Sequence, residues 1–256
     1  MHVVWTGVLA GLLIGYFALE GFTLGAGMLL PVLGRGQAGR DRIVAAIAPF
    51  TLAGEVWLVA AAGVLIGAFS QAEHAVFRGL HPVIVALLLC WILRDAGLWF
   101  RRRLDGPRWR AFWDLVICLA SAGLAASLGT ALVTMPLGGT AWPVAPLGGL
   151  LVAALFAWHG RVFLGWRLPR EHGPARSGRR LALSAALAAL PAAACLAAVA
   201  PTLAERAAPP ATLSVLALAV LPFAPVLIGA QVWVWRTFGP ETRIGDGPTA
   251  RIPSYF

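Results

Sequence analysis

The sequence predicts an all-α, polytopic transmembrane helix bundle of about seven spans, with the N-terminus outside and the C-terminus cytoplasmic. Three observations carry that reading. Hydrophobic residues make up 59% of the 256 and charged residues 12%, about half the ~25% charge of a soluble domain, and mean hydropathy is +0.80. The apolar residues are gathered into runs long enough to cross a hydrocarbon core, which takes about 20 residues of helix. Arginine, the source of all 20 basic side chains, is concentrated in alternate connections.

The runs place spans at roughly 3–33, 43–69, 76–100, 112–134, 144–166, 181–204 and 212–236. The first two exceed the bilayer and are expected to tilt or protrude. Pro49, Pro82, Pro191, Pro222 and Pro225 lie inside spans and predict kinks, which neighbouring helices can tolerate. No strand-like alternation of a β-barrel is present.

The first connection holds Arg35, Arg40 and Arg42, the third Arg101, Arg102, Arg103, Arg108 and Arg110. The fifth holds Arg167, Arg170, Arg176, Arg179 and Arg180, and the tail runs from Arg236 to Arg251. The second connection has no arginine, the fourth no charge, and the sixth only Arg206. Basic residues favour the cytoplasmic side, so the odd connections and the tail face the cytoplasm. The same distribution accounts for the net charge of +9 without nucleic acid as a partner. No basic stretch precedes the first span, which is therefore expected to be retained rather than cleaved as a signal. Trp5, Trp99, Trp109, Trp142 and Trp166 near span ends are expected to form interfacial belts. Cys90, Cys118 and Cys195 lie in apolar runs without metal or disulfide spacing and read as buried thiols.

Polar groups inside spans are costly and point to function. In the first span Gly7, Gly11, Gly15, Gly21 and Gly25 fall within an arc of about 120°, a stripe that permits close packing. On the opposite side lie Tyr16, Glu20 and Thr23. The second span sets Thr51 and Glu55 one turn apart on one face. Glu20 and Glu55 are candidates for a proton-accepting pair, one kept neutral by burial and its like-charged neighbour; the alternative is a hydroxyl-bonded pair that only holds helices together. Arg94 and Asp95 end the third span and Asp114 opens the fourth, so an Arg94–Asp114 ion pair of structural role is expected. His159 reads as a hydrogen-bonded helix contact before a haem ligand, since a bis-ligated haem needs a second axial residue. His81 lies near the outer end of the third span, and His2, His74 and His172 fall in termini or connections. No metal site is expected, and nucleotide-binding and hydrolase motifs are absent.

The run Glu20-Gly21-Phe22-Thr23-Leu24-Gly25-Ala26-Gly27-Met28-Leu29 resembles the first-helix signature of subunit II of cytochrome bd-type quinol oxidases. The resemblance continues through Ile47-Ala48-Pro49, Gly54-Glu55-Val56-Trp57-Leu58, Arg94, Trp109-Arg110 and Trp113-Asp114, with weaker matches at His159-Gly160 and Trp233–Gly239. Residues 15–115 carry it; the remainder agrees mainly in hydropathy.

The resemblance implies a non-haem subunit of a quinol:oxygen oxidoreductase in the bacterial cytoplasmic membrane, not catalytic by itself. It implies a haem-bearing subunit I as partner, haems b and d on that partner, quinol as substrate of the complex, and small single-span accessory subunits as further partners. Glu20, Glu55, Thr23, Thr51 and Tyr16 then become candidates for a proton or oxygen access path. Two positions depart from the family pattern, which has a second acid where Thr23 stands and a further acid near Leu52. Leu52 can neither donate nor accept a hydrogen bond, so the family's polar set is only partly kept. The chain is also shorter than the family's subunit, which implies a divergent member. It is expected to be a single membrane domain over 1–256, with a first four-helix bundle over 1–134, a shortened second half over 144–236 and a cytoplasmic tail over 237–256. The competing classes are a small transporter or channel reusing the bundle, and a haem-free assembly or interaction subunit.

Overall fold

The computed structural model describes residues 1–137, 141–168 and 177–239, with the side chains of 72–77 outside that description. The expectations that fall on Arg170, Arg176, His172, the His74 side chain and the tail beyond Gly239 lie outside the described residues. The helices are α1 (His2–Met28), α2 (Leu30–Leu33), α3 (Gly36–Ala68), α4 (Ser70–Phe100), α5 (Pro107–Leu137), α6 (Ala145–Arg167), α7 (Gly178–Glu205), α8 (Pro210–Val220) and α9 (Ala224–Thr237). Among the described residues, seven helical stretches, α8 and α9 counting as one, are long and apolar enough to cross a membrane. Helices suit that setting because every backbone hydrogen bond is made within the segment.

Most elements run longer than the hydropathy runs. The 33 residues of α3 span about 50 Å, well beyond a hydrocarbon core of about 30 Å. Arg40 and Arg42, read as connection residues, therefore lie in its first turns. The first predicted span breaks at Leu29, and the short α2 follows with Pro31 in its first turn. Pro49, Pro82 and Pro191 lie inside helices that continue through them. Pro222 and Pro225 fall at a break, the first in a 3₁₀ turn over Leu221–Phe223 between α8 and α9 and the second in the first turn of α9.

The centre of the bundle is α1, which packs on α3, α5, α6 and α7. Its approach to α6 is a backbone contact. A Cβ at Gly25 would lie 2.6 Å from the Phe156 carbonyl carbon, and one at Gly160 would lie 2.3 Å from the Ala26 nitrogen. A similar crossing joins α5 to α6, where a Cβ at Gly129 would meet the Gly148 oxygen at 2.3 Å. The predicted glycine stripe on α1 does not meet one neighbour throughout. Gly15 faces the Trp57 ring on α3, Gly21 and Gly25 face α6, and Gly7 and Gly11 have nothing within 4 Å.

Apolar packing forms three layers along the bundle. One, around Phe22, Phe50 and Phe163, lies at the end where α1 finishes. A middle layer surrounds Tyr16, Phe17, Leu124 and Phe156. The third, around Trp5, Leu9, Ala68, Phe69 and Leu213, lies at the end where α1 begins. Trp5 belongs to that layer and not to an exposed belt: it is fully buried, and its indole N–H donates to the Leu213 carbonyl at 3.3 Å. Trp99 and Trp142 do remain exposed. Cys90, Cys118 and Cys195 are free thiols. The last span is held loosely, with only Leu213, Gln231 and Val234 buried along α8 and α9.

A β-carbon at Gly160 would collide with backbone and not with a movable side chain, so the helices would have to separate. Gly160→Val is expected to lower stability by about 3 kcal/mol or more, whereas Gly7→Ala should change it by less than about 1 kcal/mol and in the stabilising direction. Thermal unfolding of the detergent-solubilised protein, followed by helical circular dichroism, measures both.

Candidate functional site

The candidate site is a cluster of charged side chains from α1, α3 and α4 gathered round one guanidinium. Arg94 is 1% exposed. Its Nη2 lies 2.6 Å from Glu20 Oε1 on α1, and its Nη1 lies 3.1 Å from Glu55 Oε1 on α3 and 3.8 Å from Asp95 Oδ1. Nη2 also donates to the Thr23 hydroxyl at 2.9 Å, and that hydroxyl donates to the Glu20 carboxylate. The planar, forked guanidinium suits this arrangement, because it offers separate N–H groups to two carboxylates at once.

Local sequence makes the geometry possible. Glu20 and Thr23 are three residues apart, which puts them on one face of α1. Gly54, just before Glu55, leaves room for the Glu20 carboxylate: a Cβ there would lie 2.1 Å from Glu20 Oε2. That oxygen is buried and has no hydrogen-bond partner. Glu55 and Asp95 both face the same guanidinium nitrogen, Arg94 Nη1, and Asp95 Oδ1 is likewise buried without a hydrogen-bond partner. Counted formally, the cluster sets one positive group against three carboxyls. In a low-dielectric interior that imbalance is relieved by holding a proton on a carboxyl.

The other predicted residues are distributed unevenly about this centre. Tyr16 is buried one turn before Glu20, within electrostatic reach of the cluster. Thr51 is buried too, but its hydroxyl donates to the Ile47 carbonyl of its own helix at 3.3 Å. Leu52 is 60% exposed and does not line the cluster. An acid at that position would face whatever covers α3.

The expected Arg94–Asp114 pair is not formed. Asp114 is instead held by Arg101 through Nε at 2.5 Å and by Arg40 at 3.1 Å. Arg101, fully buried, also reaches Asp41 at 2.5 Å, and Asp41 is flanked by Gln37 at 3.3 Å and Arg110 at 3.6 Å. The reason is register. Gly97 of α4 lies against Ile117 of α5, and Cys90 against Gly123. In an antiparallel pair this places Asp114 level with Phe100 and leaves Arg94 about two turns, or ~10 Å, away. The second network clamps the start of α3, the end of α4 and the start of α5. Sequence reasoning missed Arg101, Arg40 and Asp41 here; their shared place at helix ends was the available signal.

His159 is a helix contact. Its Nδ1 lies 2.8 Å from the Ser184 hydroxyl on α7 and its Nε2 lies 3.1 Å from the Ala18 carbonyl on α1. Nε2–H donates to the carbonyl, and Nδ1 faces the Ser184 hydroxyl, which also reaches the Leu181 carbonyl at 2.8 Å. Neither nitrogen is free for a haem or metal ion. Among the described residues no three His, Cys, Asp or Glu side chains are grouped for metal binding.

Comparison with known proteins adds a family. The family model described as cytochrome bd terminal oxidase subunit II matches residues 1–203. Cytochrome bd-I ubiquinol oxidase subunit 2 of Escherichia coli K12 is 32% identical over 121 residues, 47% of this chain and 32% of the relative. Cytochrome bd ubiquinol oxidase subunit 2 of Bacillus subtilis is 34% identical over 121 residues, 47% of this chain and 36% of the relative. The probable cytochrome oxidase subunit 2 of Haemophilus influenzae is 32% identical over 114 residues, 44% of this chain and 30% of the relative. The matched stretch thus covers about a third of each of these relatives.

Removing the central cation would leave buried carboxyls without their counter-ion. Arg94→Gln is expected to cost about 3–5 kcal/mol. A double-mutant cycle in detergent unfolding should give a coupling of about 1 kcal/mol or more for Arg101 with Asp114 and close to none for Arg94 with Asp114.

Proposed function

The chain belongs to the cytochrome bd terminal oxidase subunit II family, and from that premise we propose that it is the haem-free subunit of a quinol:oxygen oxidoreductase. Its partner in this reading is a haem-bearing subunit I that carries haems b and d and oxidises quinol; the isolated chain does not turn over. The complex sits in the bacterial cytoplasmic membrane, with the N-terminus outside and the C-terminus inside. In that orientation the Arg101–Asp114–Asp41 network lies at the cytoplasmic end, where the arginine-rich connections also fall.

The observation that carries the reading is the Arg94 cluster. It is assembled from the family motifs on α1 and α3 and the arginine that ends the resemblance on α4. Charged groups within a membrane mark ion or proton paths more often than bare structural contacts. Oxygen reduction consumes protons, and a carboxyl pair that shares one cation can pass a proton without leaving a net charge stranded in the bilayer. Glu20 and Glu55 are the groups assigned to that transfer. Tyr16 and Thr23 shape their surroundings, and Thr51 stays on its own helix. His159 belongs to the packing of α1, α6 and α7, in keeping with haem ligation by the partner alone.

Two measurements test this. Expression with and without a haem-bearing subunit I, followed by detergent pulldown and haem spectra, should give a stable complex when both are present. Failure to bind any such subunit, or solute flux by the chain alone, would sink the assignment. In the assembled complex, Glu20→Gln and Glu55→Gln keep shape but remove the carboxyl proton. Each should slow quinol-dependent oxygen uptake by at least about tenfold, and wild-type turnover of the double variant across pH would remove the proton role.

A further inference from the structure

We propose that Asp95 is the port through which the Glu20–Glu55 pair exchanges its proton with water outside the bundle. The inference rests on reading that pair as a proton path and adds the residue that opens it. The three carboxyls round Arg94 form a series of rising exposure: Glu20 at 0%, Glu55 at 12% and Asp95 at 33%. Glu20 is sealed and Glu55 nearly so, so neither can load from bulk water directly. Asp95 is the member of the cluster that reaches the surface.

Two further observations point to a proton as what the cluster holds. Glu20 Oε2 is buried with no partner, in a space that Gly54 keeps clear. Glu55 Oε1 at 3.1 Å and Asp95 Oδ1 at 3.8 Å both face the single nitrogen Arg94 Nη1, and two carboxyls crowded on one cation in a low-dielectric setting favour a proton on one of them. The shared nitrogen thus sets the surface member beside the inner pair. In transfer, hydronium at the surface gives its proton to the Asp95 carboxylate and leaves water, Asp95 passes that proton to the Glu55 carboxylate, and Glu55 passes it to the Glu20 carboxylate, each donor reverting to a carboxylate. No electron moves and Arg94 keeps its own proton. The groups facing this line are Tyr16, Glu20 and Thr23 from α1, Glu55 from α3, and Trp91 and Arg94 from α4.

The position also explains how the cluster manages without an acid at Leu52, which faces outward at 60% exposure. The third carboxyl enters from α4, beside the arginine. Along α4, Asp95 lies between the Arg94 centre and the Arg101 network, about two turns from the latter. In the proposed orientation that is the cytoplasmic side, from which protons for oxygen reduction are drawn.

The test uses the complex of this chain with its haem-bearing subunit. D95N, D95E and E55Q are compared for oxygen uptake across pH, quinol KM and the infrared band of protonated carboxyls. D95N should lower kcat by at least about tenfold, more so as pH rises, with quinol KM and haem spectrum unchanged. D95E should restore turnover, and D95N should shift the carboxyl band that E55Q removes. D95S answers the same question if D95N does not assemble. Wild-type turnover of D95N across pH, or a Glu55 band that it leaves unmoved, overturns the proposal even where E55Q slows turnover. Wild-type turnover of E20Q and E55Q would instead overturn the proton reading on which it stands.

Discussion

A guanidinium buried between three helices is the constraint on which this arrangement depends. Arg94 cannot be hydrated, so it must be matched by charge. Glu20 comes from α1 and Glu55 from α3, so that match fixes the rotation and depth of both helices relative to α4. Each helix then carries an accommodation. On α1 Thr23 bridges the guanidinium and the Glu20 carboxylate; on α3 Gly54 vacates the volume that carboxylate fills. A buried charge is weak support for stability in itself. What it supplies here is a unique alignment.

Helices in lipid gain nothing from hiding apolar surface against one another, because the surrounding chains are equally apolar. Two other contributions hold this bundle. Glycine pairs bring backbones together where α6 crosses α1 and α5, which gives dispersion contact without side chains in the way. Two polar layers pin depth, one at Arg94 and one at Arg101, about two turns apart on the same face of α4. The last span has neither device. Its buried residues are Leu213, Gln231 and Val234, and Trp235 adds ring contacts with Phe22 and Phe50, while residues such as Leu218 and Phe223 are turned outward. Such a surface is stable only against lipid or another apolar helix.

The helical membrane class, the seven spans and the family motifs were legible in the chain, because each depends on composition and short-range spacing. Glu20, Glu55 and Arg94 stood out for the same reason: ionisable groups are scarce in apolar runs. The pairing was not legible. Arg94 and Arg101 share a face of α4, and only the contact of Gly97 with Ile117 settles that Asp114 is level with the second. Trp5 read as an interfacial anchor since it lies near a helix end, yet α8 returns to cover it. Gly54 looked like part of a motif, and its steric purpose appears only with Glu20 beside it.

By itself, then, the sequence determined where helices run, because hydropathy and the need to satisfy backbone groups in lipid leave no other choice. It also determined which side chains are too polar to be casual. Tertiary structure decided which of them meet. Contact between charges on separate helices depends on rotation and register to within one residue, and in apolar helices those are set by where small residues allow close approach. The carboxyls of Glu20, Glu55 and Asp95 lie far apart in the chain or on one another's blind side until Arg94 gathers them.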